Sequence, residues 1–139
     1  MPEHAFTPRD VFVDTSAWLA IYNPRDKYAT QASNFLSQHP SLFTSNFVVD
    51  ELLTLARNRA GHRVAVQIGD DLWSGRLAKL VHVTQADEQV AWSLFKKYDD
   101  KNLSFTDCTS FAVMLRLGLA EAFTFDDDFI QVGLFMKVP

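Results

Sequence analysis

Short apolar segments alternate along this chain with longer segments of helical spacing, and this alternation constrains the fold more than any other feature. The apolar segments suited to strands are 11–13, 42–44, 79–84, 121–125 and 134–138. The helical segments between them are 16–22, 27–38, 46–60, 63–73, 86–98 and 106–117. Strands that alternate with helices form a parallel sheet covered on both faces. We therefore predict an α/β fold of three layers, α/β/α, with a central parallel sheet of four or five strands.

Size and composition suit one soluble domain, which we expect to span residues 1–139 with a loose lead-in at 1–9. The chain is 47% hydrophobic and 22% charged, which is ordinary for a globular protein. Its apolar runs fall short of the roughly 18–20 residues that cross a membrane, and no secretory signal opens it. A single cysteine, Cys108, excludes an internal disulfide framework. A cytoplasmic setting without membrane contact is the simplest expectation.

The net charge of −4 argues against a general polyanion binder, because neutralising phosphates requires clustered Lys and Arg. It does not argue against a nuclease, since acids gathered around a metal count as negative in that sum. The stretch 57–63 carries Arg57, Arg59 and Arg63. These side chains could contact phosphates, or they could form an ordinary solvated helix face.

Acidic residues stand where two of the predicted strands end. Asp14 follows the segment 11–13, and Asp126 follows 121–125. Asp107 lies in the first turn of a helix that should begin on the carboxyl side of the sheet. Ligand sites in open parallel sheets form beyond the carboxyl ends of the strands. If these strands are neighbours, we expect the three carboxylates to meet at one edge.

Glu51 is a fourth acid expected at this edge. On a helical wheel it falls at the margin of the apolar stripe of 46–60, whereas Asp50 falls on the polar side. A carboxylate turned toward the core needs a cationic partner or a metal. We therefore assign Glu51 to the site and leave Asp50 in solvent.

Each acid also has a purely structural interpretation. The alternatives are helix capping by Asp14, a capping box of Ser104 with Asp107, a turn or helix start at 126–128, and an ion pair of Glu51 with Arg57 or Arg59. They leave unexplained why two acids end strands and another points toward the core. The joint pattern favours a shared cation.

A hard divalent ion suits these ligands, because Mg²⁺ prefers carboxylate oxygens and water. The four histidines are scattered along the sequence without ligand spacing. We interpret His82 as a structural residue in the middle of a strand, and Cys108 as a small buried hydrophobe.

Four motifs, in this order, resemble the PIN domain family and within it the bacterial VapC-type toxins. The resemblance covers about residues 10–137. The motifs are VFVDTSAWLA at 11–20, SNFVVDELLTLA at 45–56, LSFTDCTSFAVM at 103–114 and EAFTFDDDF at 121–129. Each motif is weak alone, but the four together in order are specific.

The resemblance implies a PIN-like, metal-dependent endoribonuclease that hydrolyses RNA with one or two Mg²⁺ or Mn²⁺ ions. By motif, its catalytic and metal-binding carboxylates map to Asp14, Glu51, Asp107 and Asp126. It also implies a homodimer and a cognate antitoxin that blocks the site.

The closing motif departs from the pattern by reading DDD, so Asp128 is a further candidate ligand. A ligand role for Asp127 is left as an alternative. Three hydroxyl residues are candidates for supporting roles. Thr15 or Ser16 could bind a metal water or a phosphate oxygen, and Thr124 could orient Asp126.

Other classes are weighed against this one. A non-enzymatic alternative is a PIN-like binding module whose acidic pocket holds a basic partner segment. A haloacid-dehalogenase-type phosphatase requires a second acid two residues after Asp14, where Ser16 stands. A receiver domain fits poorly, because Lys137 is a poor match for its late-strand lysine. No glycine-rich turn follows the first strand, which excludes P-loop and Rossmann nucleotide binding.

Overall fold

The structure, a computed structural model, describes residues 9–139; the predicted lead-in at 1–9 lies outside the described residues except for Arg9. Within them the strands are β1 (Asp10–Val13), β2 (Ser41–Ser45), β3 (Lys79–Val81), β4 (Glu121–Phe123) and β5 (Met136–Val138). The helices are α1 (Thr15–Tyr22), α2 (Ala29–Leu36), α3 (Asn46–Ala60), α4 (His62–Trp73), α5 (Gln85–Lys97), α6 (Phe105–Leu117) and α7 (Asp127–Ile130).

The five strands form one parallel sheet in the order β3-β2-β1-β4-β5. Helices flank the sheet, so the predicted three-layer α/β fold is confirmed. In the centre, Phe12 of β1 pairs with Phe43 of β2, and Val13 pairs with Phe123 of β4. Because β1 and β4 are neighbours, the residues that follow them lie at the same edge of the sheet.

The central strand is buried because layers cover it on both faces. Val11, Phe12 and Val13 have no exposed surface, as expected for the middle of a parallel sheet. Trp18 of α1 is also fully buried, and its Nε1 donates to Thr44 Oγ1 at 3.1 Å. These contacts hold the start of α1 against the carboxyl ends of β1 and β2.

Side-chain acceptors end some elements earlier than the sequence predicts. The predicted strand 79–84 stops at its third residue, because Val83 N donates to Asn46 Oδ1 at 2.8 Å instead of continuing the ladder. His82 is therefore an exposed residue after β3, and its predicted place in mid-strand was wrong. The predicted helix 27–38 is also shorter in the structure, where α2 spans Ala29–Leu36.

An ion pair between buried Asp87 and exposed Arg116 joins the first turn of α5 to the last turn of α6. Thr84 and Asp87 form a capping box at the start of α5. Arg116 Nε and Nη2 reach Asp87 Oδ1 and Oδ2 at 2.9 and 2.8 Å. These hydrogen bonds hold the pKa of Asp87 below its usual value. The two helices are thus fixed as an antiparallel pair.

No helix within residues 9–139 combines the length and the hydrophobicity needed to cross a bilayer.

Candidate active site

Asp14 is the most deeply buried of the predicted carboxylates, with 4% of its surface exposed. It follows β1 and caps α1, where Oδ1 accepts from Ala17 N at 3.1 Å and from Ser16 Oγ at 2.7 Å. Its Oδ2 accepts from Thr124 Oγ1 at 2.7 Å. Burial raises the pKa of Asp14 to about 6, although these three donors act against that rise. Burial therefore makes the ionised form of Asp14 less stable than it would be in water.

Glu51 lies on α3 and turns its carboxylate toward the start of α1. Thr15 Oγ1 donates to Glu51 Oε1 at 2.6 Å. Glu51 is half-buried, whereas Asp50 beside it is exposed, as the helical wheel predicted. Glu51, the acceptor for Thr15, thus comes from α3, which follows β2, the strand next to β1.

Asp107 occupies the third position of α6 and completes a capping box with Ser104. Its Oδ2 accepts from Ser104 N at 3.0 Å. Burial is the main reason that its pKa rises to about 7, and repulsion by the carboxylates of Asp14, Asp126 and Glu51 adds to the rise. The carboxylates of Asp14, Glu51 and Asp126 are therefore close enough to Asp107 to repel its charge.

Asp126 stands three residues beyond β4, so the prediction that it closes that strand was wrong. The strand ends at Phe123, and Phe125 N donates to Ser16 Oγ at 2.9 Å instead of to a neighbouring strand. Asp126 instead caps the short helix α7, accepting from Asp128 N at 2.9 Å. Burial, followed by the charges of Asp128 and Asp127, raises its pKa.

The two additional acids of the closing motif differ in exposure. Asp128 is half-buried beside Asp126, whereas Asp127 is exposed. Lys137 Nζ lies 3.5 Å from Asp127 Oδ1, so that carboxylate already has a cationic neighbour. Asp128 remains a predicted ligand.

Three hydroxyl groups form hydrogen bonds with the acids. Thr124 is fully buried; its Oγ1 donates to Asp14 and accepts from Asp126 N at 3.0 Å. Ser16 Oγ lies 3.3 Å from Thr124 Oγ1, and Thr15 serves Glu51. The structure therefore places all three predicted supporting residues in hydrogen bonds around the acids.

Three of the four structural interpretations of these acids hold as well, and the ion pair of Glu51 does not. Asp14, Asp107 and Asp126 each accept a backbone N–H at a helix start. In the described part of the chain, the ion pairs of Lys and Arg involve other acids, and Glu51 bonds to Thr15 rather than to Arg57 or Arg59. Capping employs single oxygens, and it does not explain why four carboxylates crowd one edge of the sheet.

The chemistry of this donor set fits a hard divalent cation, because carboxylate oxygens are the ligands that Mg²⁺ and Mn²⁺ prefer. As the side chains stand, no three His, Cys, Asp or Glu residues among 9–139 already form a metal-binding group. The hydrogen bonds to Asp14 from Ser16, Ala17 and Thr124 hold both of its carboxylate oxygens in place. They take up three of its roughly four lone-pair sites, so Oδ2, which accepts a single bond, can still contact an ion.

Outside the acid group, Cys108 is buried as the sequence suggested, and the arginines of 57–63 are exposed. Cys108 is a fully buried free thiol, and burial followed by the charge of Asp107 raises its pKa to about 11. The arginines of 57–63 are exposed, and Arg57 Nη1 lies 2.7 Å from His62 Nδ1.

Comparison with known protein families identifies the family of this chain. The model of the PIN domain matches residues 11–134. The chain therefore belongs to the PIN domain family.

Individual relatives narrow the class to the VapC type. Over 124 residues the chain is 40% identical to the 23S rRNA-specific endonuclease VapC20 of two Mycobacterium tuberculosis strains. The aligned region covers 88% of this chain and 94% of the relative. The crystal structure of M. tuberculosis VapC20, described as a sarcin–ricin loop cleaving toxin, superposes with a TM-score of 0.86 at 37% identity, over 93% of this chain and 99% of that one.

A more distant structure has the same fold. FitAcB from Neisseria gonorrhoeae matches with a TM-score of 0.71 at 12% identity, over 93% of this chain and 96% of that chain. At that identity the likeness extends to the fold alone.

Proposed function

We propose that this protein is an endoribonuclease toxin of the VapC type that hydrolyses RNA phosphodiester bonds with Mg²⁺ or Mn²⁺. The observation that carries the proposal is the placement of the acids at one edge of the sheet, where Thr124 joins Asp14 to the backbone of Asp126 and Thr15 bonds to Glu51. Burial and mutual repulsion raise the pKa of Asp107 to about 7, and its neighbours Asp14, Asp126 and Glu51 all contribute to that rise. A divalent cation would relieve this repulsion.

Asp14, Glu51, Asp107 and Asp126 would hold the ion or ions, and Asp128 is the further candidate ligand. An ion bound there supplies acidification of the attacking water and neutralisation of charge on the phosphate. The protein's own part is orientation. Thr124 and Ser16 fix Asp14, and Thr15 fixes Glu51, before any ligand enters.

We infer that the substrate class is ribosomal RNA and that the protein acts in the cytoplasm. The inference comes from the M. tuberculosis relatives, which are 23S rRNA-specific and 40% identical to this chain. The negative net charge of the whole chain makes non-specific affinity for RNA weak. Recognition must then come from a local surface rather than from overall charge.

We also propose a homodimer and an antitoxin that blocks the site. An exposed aromatic surface on α5 is the candidate dimer face: Trp92 and Phe95 are 53% and 39% exposed and stack 5.8 Å apart. Exposed aromatic side chains are enriched at protein interfaces. Light scattering should give a dimer mass, and Trp92→Ala should shift it toward the monomer.

The decisive experiment is cleavage of purified ribosomes and of their 23S RNA, mapped by primer extension. Wild-type protein with Mg²⁺ or Mn²⁺ should cut at a defined position. EDTA should abolish the cut, and Asp14→Asn should reduce it by several orders of magnitude with the circular dichroism spectrum unchanged.

The same experiment separates an enzyme from a binding module. Cleavage equal in wild type and Asp14→Asn would assign the activity to a contaminant or another site. A folded wild type that binds Mn²⁺ or an antitoxin but never cuts RNA would support the binding module. Cleavage that persists in EDTA would exclude the metal mechanism.

A further inference from the structure

A groove of about 290 Å³ runs between α2 and the edge of the sheet at β5. Its lining includes Lys137 of β5 and the rings of Tyr28 and Phe125, which form the aromatic end of the groove. Phe125 immediately precedes Asp126, so the groove adjoins the acid group. The cleavage chemistry described above makes no use of it.

The aromatic end of the groove is rigidly built. The rings of Tyr28 and Phe125 stack with centroids 4.5 Å apart and planes 2° from parallel. Asp26 Oδ1 accepts from Tyr28 N at 2.8 Å, and Phe125 N donates to Ser16 Oγ at 2.9 Å. Since Ser16 also donates to Asp14, this wall is tied directly to the site.

The α2 side of the groove presents amide side chains. Gln31, Asn34 and Gln38 all line it and are exposed. Each amide offers both donors and acceptors, the groups that read the edges of an unpaired base. Among the described residues, no Asp or Glu side chain lines this groove, so an approaching phosphate meets the cation Lys137 there.

We propose that this groove binds an unpaired nucleobase of the RNA next to the bond that is cut; the proposal rests on the proposed ribonuclease function. The base lies against the aromatic end, its edge meets the amides of Gln31 and Asn34, and Lys137 meets an adjoining phosphate. The ion pair of Lys137 with Asp127 is long and exposed, and such pairs hold weakly.

The lining favours a base over a peptide segment. A different groove, between α1, α3 and α4, is lined by the aliphatic side chains of Leu19, Val64 and Ile68, which suits an apolar helix face. The α2 groove instead combines planar rings with amides, and that combination matches a flat, polar-edged ligand.

The test is a titration of ¹⁵N-labelled protein with AMP, GMP, CMP and UMP in EDTA, followed by NMR. At least one nucleotide should shift the side-chain amide signals of Gln31, Asn34 and Gln38 in a saturable way. Gln31→Glu should weaken that binding at least about three- to tenfold, because the carboxylate cannot donate to the base edge and repels the nucleotide phosphate. Gln67→Glu, an exposed position on α4, is the matched control.

Inorganic phosphate is the probe without a base. If it reproduces the nucleotide shifts, or if Gln31→Glu and Gln67→Glu bind alike, the groove is not a nucleobase site. Amide signals that no nucleotide moves would overturn the proposal equally. Ribosome cleavage is a separate measurement, in which Gln31→Glu should raise KM with little change in kcat. If the proposed ribonuclease function is wrong, the wild type will not cleave ribosomes, but nucleotide binding to the groove will remain.

Discussion

Thr124 Oγ1 donates to Asp14 Oδ2 across 2.7 Å, although 110 positions separate the two residues in the sequence. The same oxygen accepts from Asp126 N at 3.0 Å. One buried hydroxyl therefore sets the positions of two carboxylates that follow neighbouring strands. Thr124 is a positioning residue in this arrangement, because it acts through Asp14 and Asp126.

Thr124→Val should keep the shape of the side chain and remove the hydroxyl. It leaves a buried carboxylate short of a donor, so the free energy of unfolding should fall by about 1–3 kcal/mol. Misplaced ligands should lower Mn²⁺ affinity about 10–100-fold. Urea denaturation and calorimetric titration measure the two effects. Thr124→Ser, which restores the hydroxyl, should recover most of the affinity; equal binding by Thr124→Val and wild type would show that the hydroxyl positions nothing.

Capping and metal binding by Asp107 can be separated. Ser104→Ala removes the hydroxyl that caps α6 and should cost about 1 kcal/mol of stability with Mn²⁺ binding kept. Asp107→Asn keeps an acceptor for Ser104 N but loses the charge, so it should bind Mn²⁺ far more weakly while the metal-free protein is at least as stable as wild type. If Asp107→Asn binds Mn²⁺ like wild type, capping is the whole role of this residue.

The sheet and the meeting place of the acids could be predicted because both follow from periodicity. Val11, Phe12 and Val13 are apolar without alternation, which predicts a strand buried on both faces, and Asp14 comes next. The rule that sites lie beyond carboxyl ends then places the acids. That β1 and β4 are neighbours was not visible from sequence alone, and only the pairing of Val13 with Phe123 establishes it.

The details of the site depend on contacts between residues distant in sequence. Ser16 accepts from Phe125 N, which ends β4 earlier than its apolar sequence suggests. The donation from Thr15 to Glu51 spans 36 positions. The α2 groove was overlooked, although the spacing of Tyr28, Gln31 and Gln38 along one helix face gave a signal for it. Helix periodicity identifies such a face but not what lies opposite.

The pair of Asp87 with Arg116 should contribute to stability and not to the site. Asp87 is 3% exposed, caps α5 and receives the Arg116 guanidinium. Asp87→Ala should lower the free energy of unfolding by about 1–2 kcal/mol, mainly because it removes half of the capping box, since water can solvate the exposed guanidinium of Arg116. Mn²⁺ affinity per folded molecule should not change. A selective loss of Mn²⁺ binding, with stability kept, would contradict this division of roles.

The buried acids should make the metal-free protein less stable as the pH rises. The pKa of Asp14 is raised to about 6 and that of Asp107 to about 7, whereas an unfolded chain has them near 4. Between about pH 4 and pH 7 the folded state therefore binds more protons than the unfolded state, and the free energy of unfolding falls with rising pH. The shift of Asp14 alone corresponds to on the order of 3 kcal/mol across that range.

Thermal unfolding in EDTA, from pH 5 to pH 8, measures this slope. Asp14→Asn should flatten it, because an amide does not ionise. Asp87→Asn should leave it, because Arg116 holds the pKa of Asp87 below its usual value, and that contribution is lost only below about pH 4. Adding Mg²⁺ should raise Tm more at pH 8, where the acids are charged, than at pH 5, where protons compete with the ion. Identical slopes in wild type and Asp14→Asn, with no pH-dependent gain from Mg²⁺, would mean that the crowded carboxylates share neither protons nor a metal.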